Sequence, residues 1–491
     1  MPGDAPVTLQ SSGIRLCPEE TISMNPVTEP APPRKPNVVL VFGDQWRASE
    51  HGYAGNREVQ TPHLDALARE SVDCSHCVAT MPVCSPWRAS LLTGQFPLTH
   101  GLFLNDLRLS DRSPKLGQCF ADAGYDTAWI GKWHVDGSGR DAPIPPDRRC
   151  GFEHWRVLEC THNYLRSAFY ADNDTVPRIW PGYDADSQTA DAVRWIEGRR
   201  NTSKPFLAVL SWGPPHDPYR DCPPDLLAAY DAHPPTPRPN VPDSQRERHR
   251  RDGAGYYAHI AALDRCAGRL IQTLKNTGEW DNTVFVYTSD HGEMLGSHGL
   301  WKKQKPWDES IRVPLLVGAP GVRARQLDAP VETPDLMPTL LGLAGLDVPD
   351  SAEGRNLAPV LHGKRPPDRD RAALILCPAP FGEWAAANGG RAYRGVRTRR
   401  HTFVRDLQGD WLLYDNHDDP SQMRNRAGDA SQRHVRNALD EQLRERLRST
   451  GDDFATPSTL VHRCGYRVDR NGTVDYLDPA QQGQSSKDAR V

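Results

Sequence analysis

The chain has 491 residues, with apolar and charged fractions of 37% and 25% that rule out a disordered or fibrous protein. Its formal net charge of −4 leaves no basic excess of the kind a general nucleic-acid binder needs. No apolar stretch approaches the ~20 residues that span a bilayer. Met1 to Pro36 is rich in Pro, Ser, Thr and Glu and lacks an apolar signal core, so it reads as a flexible leader on a cytoplasmic protein with neither nucleic-acid nor membrane partners. The eleven cysteines are odd in number and unpatterned, which argues against a disulfide framework. Cys74 and Cys77 form a lone C-x-x-C with no second pair nearby to complete a zinc site.

In chain order, four short apolar runs have the length and β-branched content of buried parallel strands: Val38 to Phe42, Thr127 to Ile130, Phe206 to Trp212 and Val284 to Thr288. Helical patterns lie between them, at Pro62 to Glu70, Ser187 to Arg199 and Tyr256 to Lys275. This alternation predicts an α/β fold, a large domain with a mainly parallel sheet flanked by helices. A further helix opens at Thr333 and continues to about Leu343. From Ala372 the pattern changes to shorter strands, at Ala373 to Leu376, Tyr393 to Thr398, His401 to Asp406 and Trp411 to Tyr414, followed by a helix from Ser431 to Leu447. The expected division is a leader over 1–36, an α/β domain over 37–371, an α+β subdomain with a small antiparallel sheet over 372–468, and a mobile tail over 469–491. The basic runs Arg246 to Arg251 and Arg397 to Arg400 read as solvated surface.

Each of the four runs leads into polar, ligand-type or titratable groups. The first ends in Asp44-Gln45, the second in Lys132-Trp133-His134, the third in a proline-rich turn carrying His216, and the fourth in Asp290-His291. In open α/β sheets that edge is where ligands bind. Asp44, Gln45, Asp290 and His291 supply oxygen donors and one imidazole, a set suited to a divalent cation such as calcium, magnesium or manganese. Lys132 and His134 stand two apart, which on an extended segment turns both to one side.

A second kind of signal lies around residue 84. Pro86 suits the first turn of a helix and Gly94 can end it. Cys84 then sits just before a helix N-terminus, where unpaired N–H groups and the dipole favour negative charge, with Arg88 one turn later on the same face.

The segment Cys84-Ser85-Pro86-Trp87-Arg88, followed by Leu92-Thr93-Gly94, resembles the signature of the sulfatase family, formylglycine-dependent type I enzymes of the alkaline phosphatase superfamily. Asn37 to Gln45, Gly131 to His134, Pro214 to Pro218, Ser289 to Gly292, Gly296 to Lys303 and Arg312 to Val317 are similar to further elements of that family, in order. The resemblance implies an alkaline phosphatase-like fold and hydrolysis of a small-molecule or saccharide sulfate ester to alcohol and inorganic sulfate. It implies that a formylglycine-generating enzyme oxidises Cys84, and that residue 84 joins Asp44, Gln45, Asp290 and His291 around one cation. Calcium is the first choice for that cation, with manganese, magnesium and zinc as alternatives. By the same resemblance Arg88 orients the formylglycine hydrate, and Lys132 belongs to the catalytic set. His134 takes a proton from the second hydroxyl, His216 protonates the leaving alcohol, and Lys303 binds sulfate oxygens; Lys302 and Lys305 are neighbours that could be confused with it.

One departure is Gln45, where most of the family have a second aspartate. Related phosphonate monoester and phosphodiester hydrolases share Asp-Gln there but lack the Gly-Lys-Trp-His element, so that activity is the alternative reading. A binding module with unmodified Cys84 is the third. The pocket rim is expected from Arg140 to Asp174, Asp217 to Arg251 and the C-terminal sheet; in the first, Trp155, His162, Asn163, Tyr164 and Tyr170 suit sugar or aryl recognition, or equally a loop that packs on itself.

Overall fold

The computed structural model describes residues 3–9, 13, 34–200 and 202–474. Its main sheet has ten strands in the order Arg325–Leu327, Val72–Cys74, Leu315–Gly318, Thr283–Ser289, Asn37–Asp44, Phe206–Pro215, Asp126–Lys132, His154–Leu158, Ala168–Ala171 and Arg178–Ile179. The central five run parallel. The four apolar runs of the sequence are four of those five, each strand extending two or three residues beyond its apolar part. They lack polar alternation because both faces are covered. Val38, Leu40 and Phe42 enter one core, while Val39 and Val41 enter the other.

The second core is roofed by the helices Pro62–Glu70, Asp184–Glu197 and Arg246–Thr277. The last starts ten residues before the apolar period does. Its first turns carry Arg246, Arg248 and Arg251, each about half exposed or more, and periodicity begins only where the helix meets the sheet. The first core holds the helices Cys84–Thr93, Leu116–Asp122 and Leu336–Leu343. Gly131 shows why one position tolerates no side chain: its φ is +106°, and a Cβ there would stand 2.1 Å from the Ser211 carbonyl oxygen.

The small antiparallel sheet forms as expected, from Ala373–Cys377, Tyr393–Arg397, His401–Asp406 and Gly409–Asp415. The helix Arg433–Ser449 buries Leu439, Leu443 and Leu447, spaced one turn apart. Arg371, just ahead of this sheet, is buried against Glu332 and Asp335, and Arg446 of the C-terminal helix also reaches Glu332. This ionic knot joins the two sheets' surroundings.

Three expectations need correction. Arg397 is not surface: its side chain is 2% exposed and pairs with Asp308, while Arg399 and Arg400 are half exposed. The segment from Arg140 to Asp174 is not a free rim. It supplies the strands His154–Leu158 and Ala168–Ala171, and Trp155, Tyr164 and Tyr170 are buried side chains, leaving His162 and Asn163 exposed. The tail does not loosen at 469, because Val474 is buried and bridges to Val468; the rest of that tail and most of the leader lie outside the described residues. Among the described residues, no helix is long and apolar enough to cross a membrane.

Candidate active site

Asp44 ends the first strand, and Asp290 and His291 come directly after the strand beside it, paired in register up to Gly43 and Ser289. Neighbouring strand ends therefore deliver both carboxylates to one point. The ligand atoms of Asp44, Cys84, Asp290 and His291 all lie within 4.8 Å of one another. His291 Nε2 is 3.3 Å from Cys84 Sγ and 3.4 Å from Asp44 Oδ1. The outer carboxylate oxygens are held from behind: Arg88 Nη2 lies 3.3 Å from both Asp44 Oδ2 and Asp290 Oδ2, and Lys132 Nζ lies 2.6 Å from Asp44 Oδ2. The inner oxygens are left facing the cluster.

Gln45 completes it. Its φ is +71°, its N–H donates to Asp290 Oδ1 at 3.0 Å, and its amide Nε2 donates to the Tyr219 hydroxyl at 3.3 Å. Gln45 Oε1 is buried with no hydrogen-bond partner among the described residues. Burial, and then the charge of Asp44, push Asp290 up to about 6. Two carboxylates and an imidazole within reach of one another, with a buried amide oxygen of Gln45 left without a partner among the described residues, fit a divalent cation.

Cys84 is the first residue of its helix, after the extended Val83, and Gly94 ends the helix at φ +68°. Lys303 Nζ donates to Cys84 Sγ at 3.2 Å. Burial and Asp44 raise the thiol, but Lys132, Lys303 and His291 together bring it well below its ordinary range. An anion at position 84 is therefore favoured. Arg88, one turn on, is fully buried, and its Nη1 donates to the Lys132 carbonyl at 2.9 Å and to Ser211 Oγ at 2.6 Å.

Lys132 and His134 both enter the site, but not by strand alternation. The strand ends at Lys132 and His134 sits at φ +61°, where the chain has turned. Glu159 holds that turn by accepting the N–H groups of His134, Asp136 and Gly137 at 3.1, 2.8 and 3.0 Å. His134 Nε2 lies 3.2 Å from Asp106 Oδ1, and Arg140 holds the same carboxylate. Burial lowers the imidazole, yet nearby Cys160, Asp106 and Cys84 outweigh it and Lys132, holding it up at about 9.

Lys303 Nζ also lies 2.7 Å from His216 Nε2, and His216 Nδ1 lies 2.8 Å from the Asp217 carbonyl. Burial and then Lys303 press His216 well below its ordinary range, so it does not titrate near neutrality here. It stands as the neutral acceptor of a lysine ammonium. Lys302 instead pairs with Asp217 at 3.2 Å, and Lys305 is buried over the Trp384 ring, so Lys303 alone of the three meets Cys84 and His216.

Several site residues carry no signal in the sequence. Asp106 lies on a loop without a motif. Glu159 and Cys160 come after a fifth parallel strand, His154–Leu158, whose Trp and Arg content hides it; its end was the one clue available. Burial raises the Cys160 thiol, but Lys132, His134 and His162 bring it down to about 5. The His162 ring stacks on His216 at 4.7 Å.

Carboxylates ready for a cation, an anion-stabilising position at a helix N-terminus and flanking lysines and histidines define a hydrolase of anionic esters, on a fold of the alkaline phosphatase type. The family profile described as Sulfatase matches residues 36–346, and the profile for the C-terminal part of N-sulphoglucosamine sulphohydrolase matches residues 296–449. The chain is 39% identical to an ulvan-active sulfatase of Formosa agariphila, over 89% of this chain and 86% of that protein. It is 30% identical to an endo-4-O-sulfatase of Bacteroides thetaiotaomicron, over 88% and 95% of the two chains. The crystal structure of the Bacteroides fragilis protein yidJ, classed as a sulfatase, superposes with a TM-score of 0.79 at 27% identity, covering 87% of this chain and 98% of that one. The chain belongs to the sulfatase family and is a sulfuric ester hydrolase.

Proposed function

We propose that the chain hydrolyses the sulfate ester of a saccharide hydroxyl through a formylglycine at position 84, over a calcium ion held by Asp44, Gln45, Asp290, His291 and residue 84. The observation that carries this reading is the convergence on Cys84 Sγ, where Asp44, His291 and Lys303 all lie within 3.6 Å. The saccharide is supported by the names of the two relatives, which refer to ulvan and to a 4-O-sulfate.

A divalent cation there supplies charge stabilisation for the attacking oxygen. The hydrate of a formylglycine supplies that oxygen and a second hydroxyl, whose deprotonation releases sulfate as the aldehyde returns. Arg88 and Lys132 fix Asp44 and balance its charge. Lys303 binds the sulfate oxygens as a point charge and shares its proton with neutral His216, so the pair hands the leaving alcohol its proton. His134, aligned by Asp106 and Glu159, takes the proton of the second hydroxyl. A hydrate at position 84 removes only the Cys84 hydrogen bond, the last of the causes of the raised His134 pKa after Cys160 and Asp106, so this step is favoured on the alkaline side. Cys84 is 1% exposed, so a formylglycine-generating enzyme must reach it before the fold closes. All ten cysteines among the described residues are free, which supports a reducing, cytoplasmic setting.

The test is sulfate release from a panel of sulfated saccharides, aryl sulfates and phosphonate monoesters, with metal content and the mass of the residue-84 peptide measured on the same sample. Turnover of saccharide sulfates by protein carrying formylglycine is expected. A large preference for the phosphonates, or full activity with an unmodified thiol, overturns the proposal.

A further inference from the structure

We propose that Gln304 is a positioning residue that aims the Lys303 ammonium at position 84, by clamping the lysine's stretch of chain to the loop that follows the first strand of the small C-terminal sheet. This rests on the reading of Lys303 as the group that binds sulfate oxygens.

A lysine reaches its target on a flexible four-carbon stem, so its ammonium is only as well placed as the backbone that carries it. Around Lys303 that backbone is unusual. Both neighbours are left-handed, Lys302 at φ +62° and Gln304 at φ +72°. Non-glycine residues take this conformation at a cost, and hold it only where surrounding contacts impose it. No helix or strand does so here, since Lys303 lies outside both.

On the Lys302 side the contacts come from the segment after His291. The Lys302 N–H donates to Glu293 Oε1 at 2.7 Å, and the Lys302 carbonyl accepts the Met294 N–H at 3.0 Å. On the other side they come from Gln304. Its N–H donates to the Pro82 carbonyl at 3.1 Å, two residues before Cys84. Its amide is fully buried and meets Phe381 twice: Nε2 donates to the Phe381 carbonyl at 3.0 Å, and Oε1 accepts the Phe381 N–H at 3.2 Å. Phe381 is extended, with φ −143° and ψ 169°, so its N–H and C=O lie on one side. An amide, with one donor and one acceptor end, closes both bonds at once, as a paired strand would.

Three segments meet at this residue. Thr80 to Pro82 leads into the Cys84 helix, Lys302 to Gln304 carries the lysine, and Cys377 to Phe381 leaves the small sheet. That sheet's Leu376 N–H also donates to the Thr80 carbonyl at 2.8 Å. Lys303 Nζ and Cys84 Sγ, 3.2 Å apart, are thus set against each other from a common support. Through Gln304 the C-terminal sheet fixes where the sulfate-binding charge stands.

The experiment uses the full chain with Ca2+ bound and inorganic sulfate as the probe, its affinity read from the sulfate-induced rise in melting temperature. Gln304→Met, which keeps the length and loses both side-chain bonds, is expected to weaken sulfate binding about tenfold while Ca2+ affinity stays within about twofold. Gln304→Asn, which suits a left-handed backbone but falls one methylene short of Phe381, is expected to act in the same direction. In a Lys303→Ala background, Gln304→Met is expected to change sulfate affinity by less than about twofold, since nothing is left to aim. A merely structural role would cost both backgrounds alike. Equal losses in the two backgrounds, no loss in either, or failure of both Gln304 variants to fold overturns the proposal. An unsubstituted protein that binds no sulfate, or sulfate binding that Lys303→Ala leaves unchanged, overturns instead the reading of Lys303, and this inference with it.

Discussion

The two sides of the site are built differently. On the cation side, Asp44, Gln45, Asp290, His291 and Arg88 are fully buried, and they come from adjacent parallel strand ends and one helix. Two buried polar atoms there lack a partner among the described residues, Gln45 Oε1 and Arg88 Nε. On the mouth side, His216, Lys303, Asp217, Lys302 and His162 sit on loops, and the last three are partly or fully exposed. The lesson is a division of labour. The carboxylate cluster rests on the rigid sheet, while the mouth rests on loops, the segments most free to vary.

Replacing groups on the two sides separates these roles. Cys84→Ala is expected to have the largest effect, cutting sulfate release by on the order of 10^5 or more, because no other group in the site can replace the nucleophile. Lys303→Ala, on the mouth side, is expected to lower kcat/KM by roughly 10^2–10^3 while calorimetry still finds Ca2+ bound with near-normal affinity. An equal collapse of Ca2+ binding would erase the distinction between the two sides. His162→Ala is expected to raise KM for the preferred saccharide severalfold, by roughly 3–10 times, with kcat nearly held; a pure kcat loss would move His162 into the catalytic half.

The framework behind the site has its own pH signature. His51, His100 and His259 are buried, and desolvation takes each down to about 3. In the unfolded chain they take up protons near pH 6.5, while in the folded protein they stay neutral until far lower. Their stabilising contribution is therefore complete above about pH 6.5 and is lost as pH falls towards 3, at roughly 1.4 kcal/mol per pH unit for each histidine. Melting temperature is expected to drop between pH 7 and 4.5, and His259→Asn to flatten that slope. A melting temperature independent of pH over this range would show that the framework is not held in this way.

Much of the cation side was legible without coordinates. Apolar runs such as Val38 to Phe42 announce strands buried on both faces, and the residues just after each run must lie at one sheet edge. Local signals also sufficed for the Cys84 helix, with Pro86 inside its first turn and Gly94 at its end. The rim was legible only in part: His162 and Asp217 lie in the expected segments and stand at the mouth. Trp155, Tyr164 and Tyr170 have the composition of a binding loop, and only their burial shows them to be core. Asp106 and Glu159 were invisible because a loop carboxylate has no periodicity, and each finds its partner, His134, across 28 and 25 residues.

By itself, then, the sequence determined the α/β alternation, the small C-terminal sheet, the helix that opens at Cys84 and the polar groups at four strand ends. Those come from period, propensity and spacing, which are local. Tertiary structure decided the rest: that Lys303 and not its neighbours meets Cys84, that His216 accepts from Lys303, and that the Gln45 amide meets the Tyr219 hydroxyl. Protonation state and hydrogen-bond polarity depend on burial and on distant partners, and no local pattern carries either.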